Sequence, residues 1–198
     1  MKLHRLIPVL ALGVAACGGG DAPEAAPADS PPEAAAPAAP AGPAAPTGPL
    51  SIPEWYAVDN DARTVSITLT AGSTADNNYW NYNGYTSGAL AITVPEGYTV
   101  TMTLINEDPN MAHSVGVSSE LSNFTMPPAA DPVFAGAITE NPASMVDATM
   151  PGETETITFV AETAGSYSLV CYIPGHTAVG MWLFFDVSAD GEAGVRGL

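Results

Sequence analysis

Residues 99–105 read Thr99-Val100-Thr101-Met102-Thr103-Leu104-Ile105, with polar and apolar side chains taking turns as far as Leu104. Successive side chains on a β-strand point to opposite faces, so this order puts Val100, Met102 and Leu104 on one face and the threonines on the other. A half-buried strand is predicted. The same period of two recurs in Thr64-Val65-Ser66-Ile67-Thr68-Leu69 and in Ala89-Leu90-Ala91-Ile92-Thr93-Val94. Further strands are read at 113–117, 155–160, 165–172 and 182–187, divided by turn signals such as Pro95-Glu96-Gly97, Pro151-Gly152 and Ala164-Gly165. No stretch carries a helical period, and no internal repeat is evident. Many short strands with turns between them predict an all-β, two-sheet antiparallel sandwich over residues 53–188. The Pro-interrupted stretch 118–150 is read as a long excursion between strands, and 189–198 as a C-terminal tail.

Upstream of the strands the composition changes. Residues 1–16 carry Lys2 and Arg5, then the apolar run Leu6-Ile7-Pro8-Val9-Leu10-Ala11-Leu12, then small residues ending Val14-Ala15-Ala16 before Cys17. That is the layout of a secretory signal peptide, too short for a permanent bilayer span. Val-Ala-Ala-Cys looks like a bacterial lipobox, so Cys17 is expected to be lipidated and to anchor the mature chain to a membrane. Residues 17–52 are mostly Ala, Pro and Gly, with too little apolar side chain to offset ordering entropy, and are expected to form a disordered tether. Fully extended, such a tether reaches on the order of 100 Å.

Lys2 and Arg5 belong to the leader, which leaves Arg63 and Arg196 as the only strong bases against 21 Asp and Glu residues. A surface this acidic excludes nucleic-acid binding. It would steer the domain toward a basic face on a partner, and it would equally suit a saline habitat. The chain has two cysteines. If Cys17 carries lipid, Cys171 has no partner for a disulfide, although export would permit one, and must be a free thiol or a ligand.

Cys171 sits in Ser168-Leu169-Val170-Cys171-Tyr172-Ile173-Pro174-Gly175-His176-Thr177-Ala178-Val179-Gly180-Met181-Trp182. Four residues separate the thiol from the imidazole, and four more separate the imidazole from the thioether. The loop runs from the end of one predicted strand to the start of the next. A thiolate, two imidazoles and a weak axial thioether make the trigonal site that suits copper in electron transfer. After the leader only one other histidine remains, His113, at the start of a predicted strand in Asn110-Met111-Ala112-His113-Ser114-Val115. Taken singly, each of these residues reads as ordinary core; jointly they give His113, Cys171, His176 and Met181 as ligands of one copper ion. Structural zinc would call for four strong ligands, and Met is a poor one for zinc. A binuclear copper centre would need a second Cys in the loop, and a catalytic copper would need more histidines.

Cys-x-Ile-Pro-Gly-His-x-x-x-Gly-Met is similar to the ligand loop of sulfocyanins and rusticyanins, mononuclear cupredoxins. Sulfocyanin is the nearer likeness, because Trp80-Asn81-Tyr82-Asn83-Gly84-Tyr85 resembles that family's aromatic-Asn-aromatic-Asn-Gly signature, followed by Val94-Pro95-Glu96-Gly97-Tyr98 and His113-Ser114. The likeness covers roughly residues 76–187. Two departures stand out: Met111-Ala112 occupies the place where the family usually has a Pro, and a lipobox with a tether replaces a membrane-spanning anchor.

The resemblance implies a Greek-key cupredoxin sandwich holding one type 1 copper. It also implies that His176 offers the shorter electron path, that His113 is the more buried, and that Ser114 bonds across to the ligand loop. Met181 and the apolar surroundings are expected to raise the reduction potential. Tyr79, Trp80, Tyr82 and Tyr85 are read as core packing. The expected role is a monomeric, non-enzymatic carrier of single electrons, from a cytochrome-type donor to a terminal oxidase or similar acceptor. A copper storage or delivery module is the alternative from another class, and a carrier for an iron-oxidising chain is the alternative within electron transfer.

Overall fold

A computed structural model of the chain describes residues 43–126 and 128–197. The signal peptide at 1–16, Cys17 and the tether as far as residue 42 lie outside the described residues. Nine strands are present among the described residues: β1 Tyr56–Asp59, β2 Thr64–Ala71, β3 Ala91–Pro95, β4 Thr99–Asn106, β5 Gly116–Ser118, β6 Thr154–Val160, β7 Gly165–Val170, β8 Trp182–Ser188 and β9 Gly194–Arg196. They form one sheet in the order β1-β2-β4-β6 and a second in the order β5-β7-β8-β3-β9.

The period of two becomes burial as expected. Val65, Ile67 and Leu69 of β2 lie opposite Val100, Met102 and Leu104 of β4, and all six are buried. With Ile157 and Phe159 of β6 they meet Ile92 and Val94 of β3 and Leu183, Phe185 and Val187 of β8 in a single core. Tyr56 ties the sheets together, its hydroxyl donating to the carbonyl of Thr93 at 2.6 Å.

The sheets are mixed, which corrects the antiparallel expectation: β2 pairs parallel with β4, and β3 parallel with β8. The chain leaves the first sheet after β2, forms β3 in the second sheet, and returns as β4. Such a crossover sets β4 alongside β2 in the same direction. Alternation of side chains cannot distinguish the two directions.

The second sheet is buried on both faces. Trp182 and Phe184 of β8 join Ala91, Val170 and Tyr172 in a separate cluster under Phe124, Ile138 and Ala45. The excursion after β5 therefore serves as a lid on this sheet, and the near-continuous apolar run Trp182-Leu183-Phe184-Phe185 follows from that double cover. Phe134, from the same excursion, reaches the main core beside Phe159.

One internal strand and both ends of the expected domain differ from the sequence reading. The strand read at 113–117 is confined to β5, and His113 makes only an isolated bridge to Thr149. Strand β9, inside the segment read as a tail, pairs antiparallel with β3. The last residues of the expected tether also join the fold, since Ser51 bridges Val195 and the carbonyl of Gly48 accepts a hydrogen bond from Arg196 Nε at 3.2 Å.

Candidate metal centre

Strand β7 ends at Val170, so Cys171 is the first residue off the sheet, and β8 takes the chain back at Trp182. The loop between them is bonded mainly to itself. His176 N–H donates to Ile173 O at 3.1 Å, Met181 N–H to His176 O at 3.0 Å, and Cys171 N–H to Met181 O at 3.2 Å. The hydroxyl of Thr177 donates to the carbonyl of Cys171. Gly180 ends the short turn Thr177–Val179 at φ 107°, a left-handed conformation that suits glycine, and so lets Met181 return beneath His176.

His113 arrives from the other side. Its N–H donates to Thr149 O at 3.0 Å, and buried Asn106 holds the neighbouring carbonyls of Met111 and Thr149, each at 2.8 Å. Three ligand atoms then converge. Cys171 Sγ lies 3.9 Å from His113 Nδ1 and 3.5 Å from His176 Nδ1, and the two Nδ1 atoms are 3.2 Å apart. The centre of such a triangle is about 2.1 Å from each corner, the length of a metal–imidazole bond. Cys171, His113, His176 and Met181 are all at least 99% buried. The donor set and its spacing fit one copper, with Met181 placed beside the triangle by its backbone bonds to Cys171 and His176.

Surrounding groups fix each ligand. Asp108 Oδ2 accepts from His113 Nε2 at 2.9 Å, so Nδ1 is left bare to face the metal position. Asp108 Oδ1 accepts the N–H groups of Asn110 at 2.8 Å and Met111 at 3.1 Å. Burial lowers the pKa of His113, against the pull of this carboxylate. His176 is pushed down to about 3 by burial and by His113 beside it. Burial also pushes the Cys171 thiol up, opposed by the backbone N–H groups of Ile173 and Ser114. With both imidazoles shifted downward they are neutral near pH 7, as ligands must be, and with the thiol shifted upward it needs the metal's charge to ionise.

Ser114 Oγ accepts the Tyr172 N–H at 2.9 Å and lies 3.7 Å from Cys171 Sγ, so it joins the His113 segment to the ligand loop. Tyr82, read from the sequence as packing, is fully buried and donates its hydroxyl to the carbonyl of Ser114. Trp80 stacks on His176 with ring centroids 4.0 Å apart and planes 19° from parallel. Packing alone does not describe Trp80 or Tyr82. His113 is the more buried of the two histidines, as expected, but only narrowly, at 0% against 1% exposed for His176; the indole covers an imidazole that a surface loop would otherwise present.

Asp108 escaped the sequence reading altogether. Its signal, an Asp-Pro-Asn turn five residues before a ligand histidine, reads first as an ordinary turn.

A family model described as the sulfocyanin (SoxE) domain matches residues 53–193. Sulfocyanin from Sulfolobus acidocaldarius is 33% identical over 128 residues, 61% of this chain and 61% of that protein. Rusticyanin from Acidithiobacillus ferrooxidans is 32% identical over 90 residues, 45% of each chain. The alignments thus span less than two thirds of these relatives' lengths. Among solved structures, reduced auracyanin from Roseiflexus castenholzii is similar at 25% identity and TM-score 0.44, covering 62% of this chain and 96% of that one. Rusticyanin from Thiobacillus ferrooxidans is similar at 23% identity and TM-score 0.44, covering 68% and 86%. A converging Cys and two His with Met181 beside them, on two mixed sheets, match what the family model finds over most of the sequence: the chain belongs to the sulfocyanin family, and its centre is a site for one type 1 copper.

Proposed function

We propose that the protein carries single electrons outside the cytoplasm, held at a membrane by lipid on Cys17, between a cytochrome-type donor and a terminal oxidase or similar acceptor. The observation that carries this reading is the buried triangle of Cys171, His113 and His176, whose corners are fixed by hydrogen bonds that do not depend on a metal. When bound, copper supplies a one-electron couple. The chain supplies the rest. Cys171 gives the strong donor, the two imidazoles stay neutral, and the core around Leu169, Ile173 and Met181 excludes water. A site that barely rearranges between oxidation states suits rapid electron exchange, and after Cys17 the sequence holds no further His or Cys to build a catalytic metal.

Export and anchoring rest on the charged, apolar and small-residue order of residues 1–17. Among the described residues, no helix is long and apolar enough to cross a membrane. The mass of the N-terminal peptide from membrane-derived protein tests the lipid. A basic partner face is supported by the excess of acidic residues, and it predicts association that weakens with ionic strength.

Visible and electron-spin spectra with voltammetry on the copper-loaded chain test the carrier role. The expected result is an intense thiolate-to-copper band and a reversible one-electron wave, with the band abolished in Cys171→Ser. A colourless, redox-silent adduct would instead identify a storage or delivery module.

A further inference from the structure

Trp80 is positioned with more care than a packing residue requires. It follows three non-glycine residues in left-handed conformation, Asn77, Asn78 and Tyr79, at φ 51°, 57° and 65°. Such residues persist only where the surroundings impose them. Trp80 N–H donates to Asn77 O at 3.1 Å, and Asn77 Nδ2 donates back to Trp80 O at 2.8 Å. The next residue, Asn81, is fully buried, and its side chain makes four bonds: to the carbonyls of Thr74 and Asp76, and from the Ser73 hydroxyl and the Gly84 N–H.

What this clamp presents is an indole face on His176. The imidazole is 1% exposed, and its Nε2 meets no hydrogen-bond partner. The loop residues that do reach solvent here, Pro174, Gly175, Ala178 and Val179, carry no charge. A partner docking over this loop would therefore touch saturated side chains or the indole, and only the indole offers a conjugated ring in van der Waals contact with a ligand.

We infer that Trp80 is the port through which electrons reach His176, a positioning residue that couples the buried ligand to the surface of a redox partner. The inference rests on the electron-carrier reading. In each transfer the partner loses one electron and the bound metal gains it; no bond forms or breaks, no proton moves, and the indole is a bridge that stays neutral. A simple lid would have the opposite consequence, because shrinking a lid uncovers the imidazole and speeds exchange.

The test is electron self-exchange between oxidised and reduced copies of the copper-loaded full chain, followed by NMR line broadening at high salt to screen the acidic surfaces. Wild type is compared with Trp80→Leu and with the more conservative Trp80→Phe. In the copper-free forms, reactivity of His176 toward an imidazole-modifying reagent reports how far each variant uncovers it. The expected result is self-exchange several-fold slower in Trp80→Leu, and equal to or slower than wild type in Trp80→Phe, with colour and reduction potential unchanged and His176 more reactive. Unchanged or faster exchange in Trp80→Leu, or faster exchange in Trp80→Phe, overturns the port and makes Trp80 a lid. If wild type itself is colourless or redox-silent, the carrier reading fails first, and the port fails with it.

Discussion

Asp108 makes one contact that reaches the metal position, the 2.9 Å bond to His113 Nε2. A buried carboxylate there adds electron density to the imidazole and favours the more highly charged oxidised copper, against the influence of Met181 and the dry core. Asp108→Asn should therefore raise the reduction potential and weaken copper binding by about 10- to 100-fold, checked by voltammetry and by competition with a chelator. The ligands themselves were legible because soft donors at even spacing have few other meanings together. Asp108, Tyr82 and Trp80 were not, since what each does depends on where distant segments meet it: Asp108 through the approach of His113, Tyr82 through Ser114, Trp80 through the ligand loop.

Among the elements, β1 and β9 are the two strands the sequence reading did not find, and the short Gly-Val-Arg of β9 has no alternation to detect. Its worth lies in what it covers. Val195 is fully buried opposite Ile92, and Arg196 donates to Gly48 O, Thr93 Oγ1 and Glu192 Oε2. Ending the chain after Asp190 should cost on the order of 3 kcal/mol, from one valine's burial and the lost hydrogen bonds, and lower the melting temperature by several degrees. Thermal unfolding of the truncated and full chains checks it. Strands β2 and β4 show the complementary case: their inward faces were readable from Thr-Val and Thr-Met alternation, but their parallel direction was not, because it is set by the departure of β3 to the other sheet. The signature at 80–85 has a similar explanation. Asn83 takes the place of a strand neighbour, accepting from Thr70 N–H at 2.6 Å and donating to Thr68 O at 3.1 Å along β2.

For the whole molecule, the copper-free protein should be sensitive to acid. His176 is depressed from 6.5 to about 3 in the folded chain, by burial and then by His113, with Asp108 acting the other way. Between those values the unfolded chain binds the proton and the folded chain does not. Stability is therefore complete above about pH 6.5 and falls as pH drops toward 3. Melting temperatures of the copper-free protein across that range check the direction. Copper loading should raise stability near neutral pH but steepen the fall on acidification, because the bound metal keeps His176 unprotonated and Cys171 ionised while the unfolded chain takes up both protons.

The bridge between Ser51 and Val195 means that segments near the two ends of the described fold are hydrogen-bonded neighbours. The fold is thus topologically close to a ring, opened at a point that no ligand uses. A circularly permuted chain, with a short linker joining residue 197 to residue 50 and new ends between exposed Met145 and Val146, should fold and give the same copper spectrum.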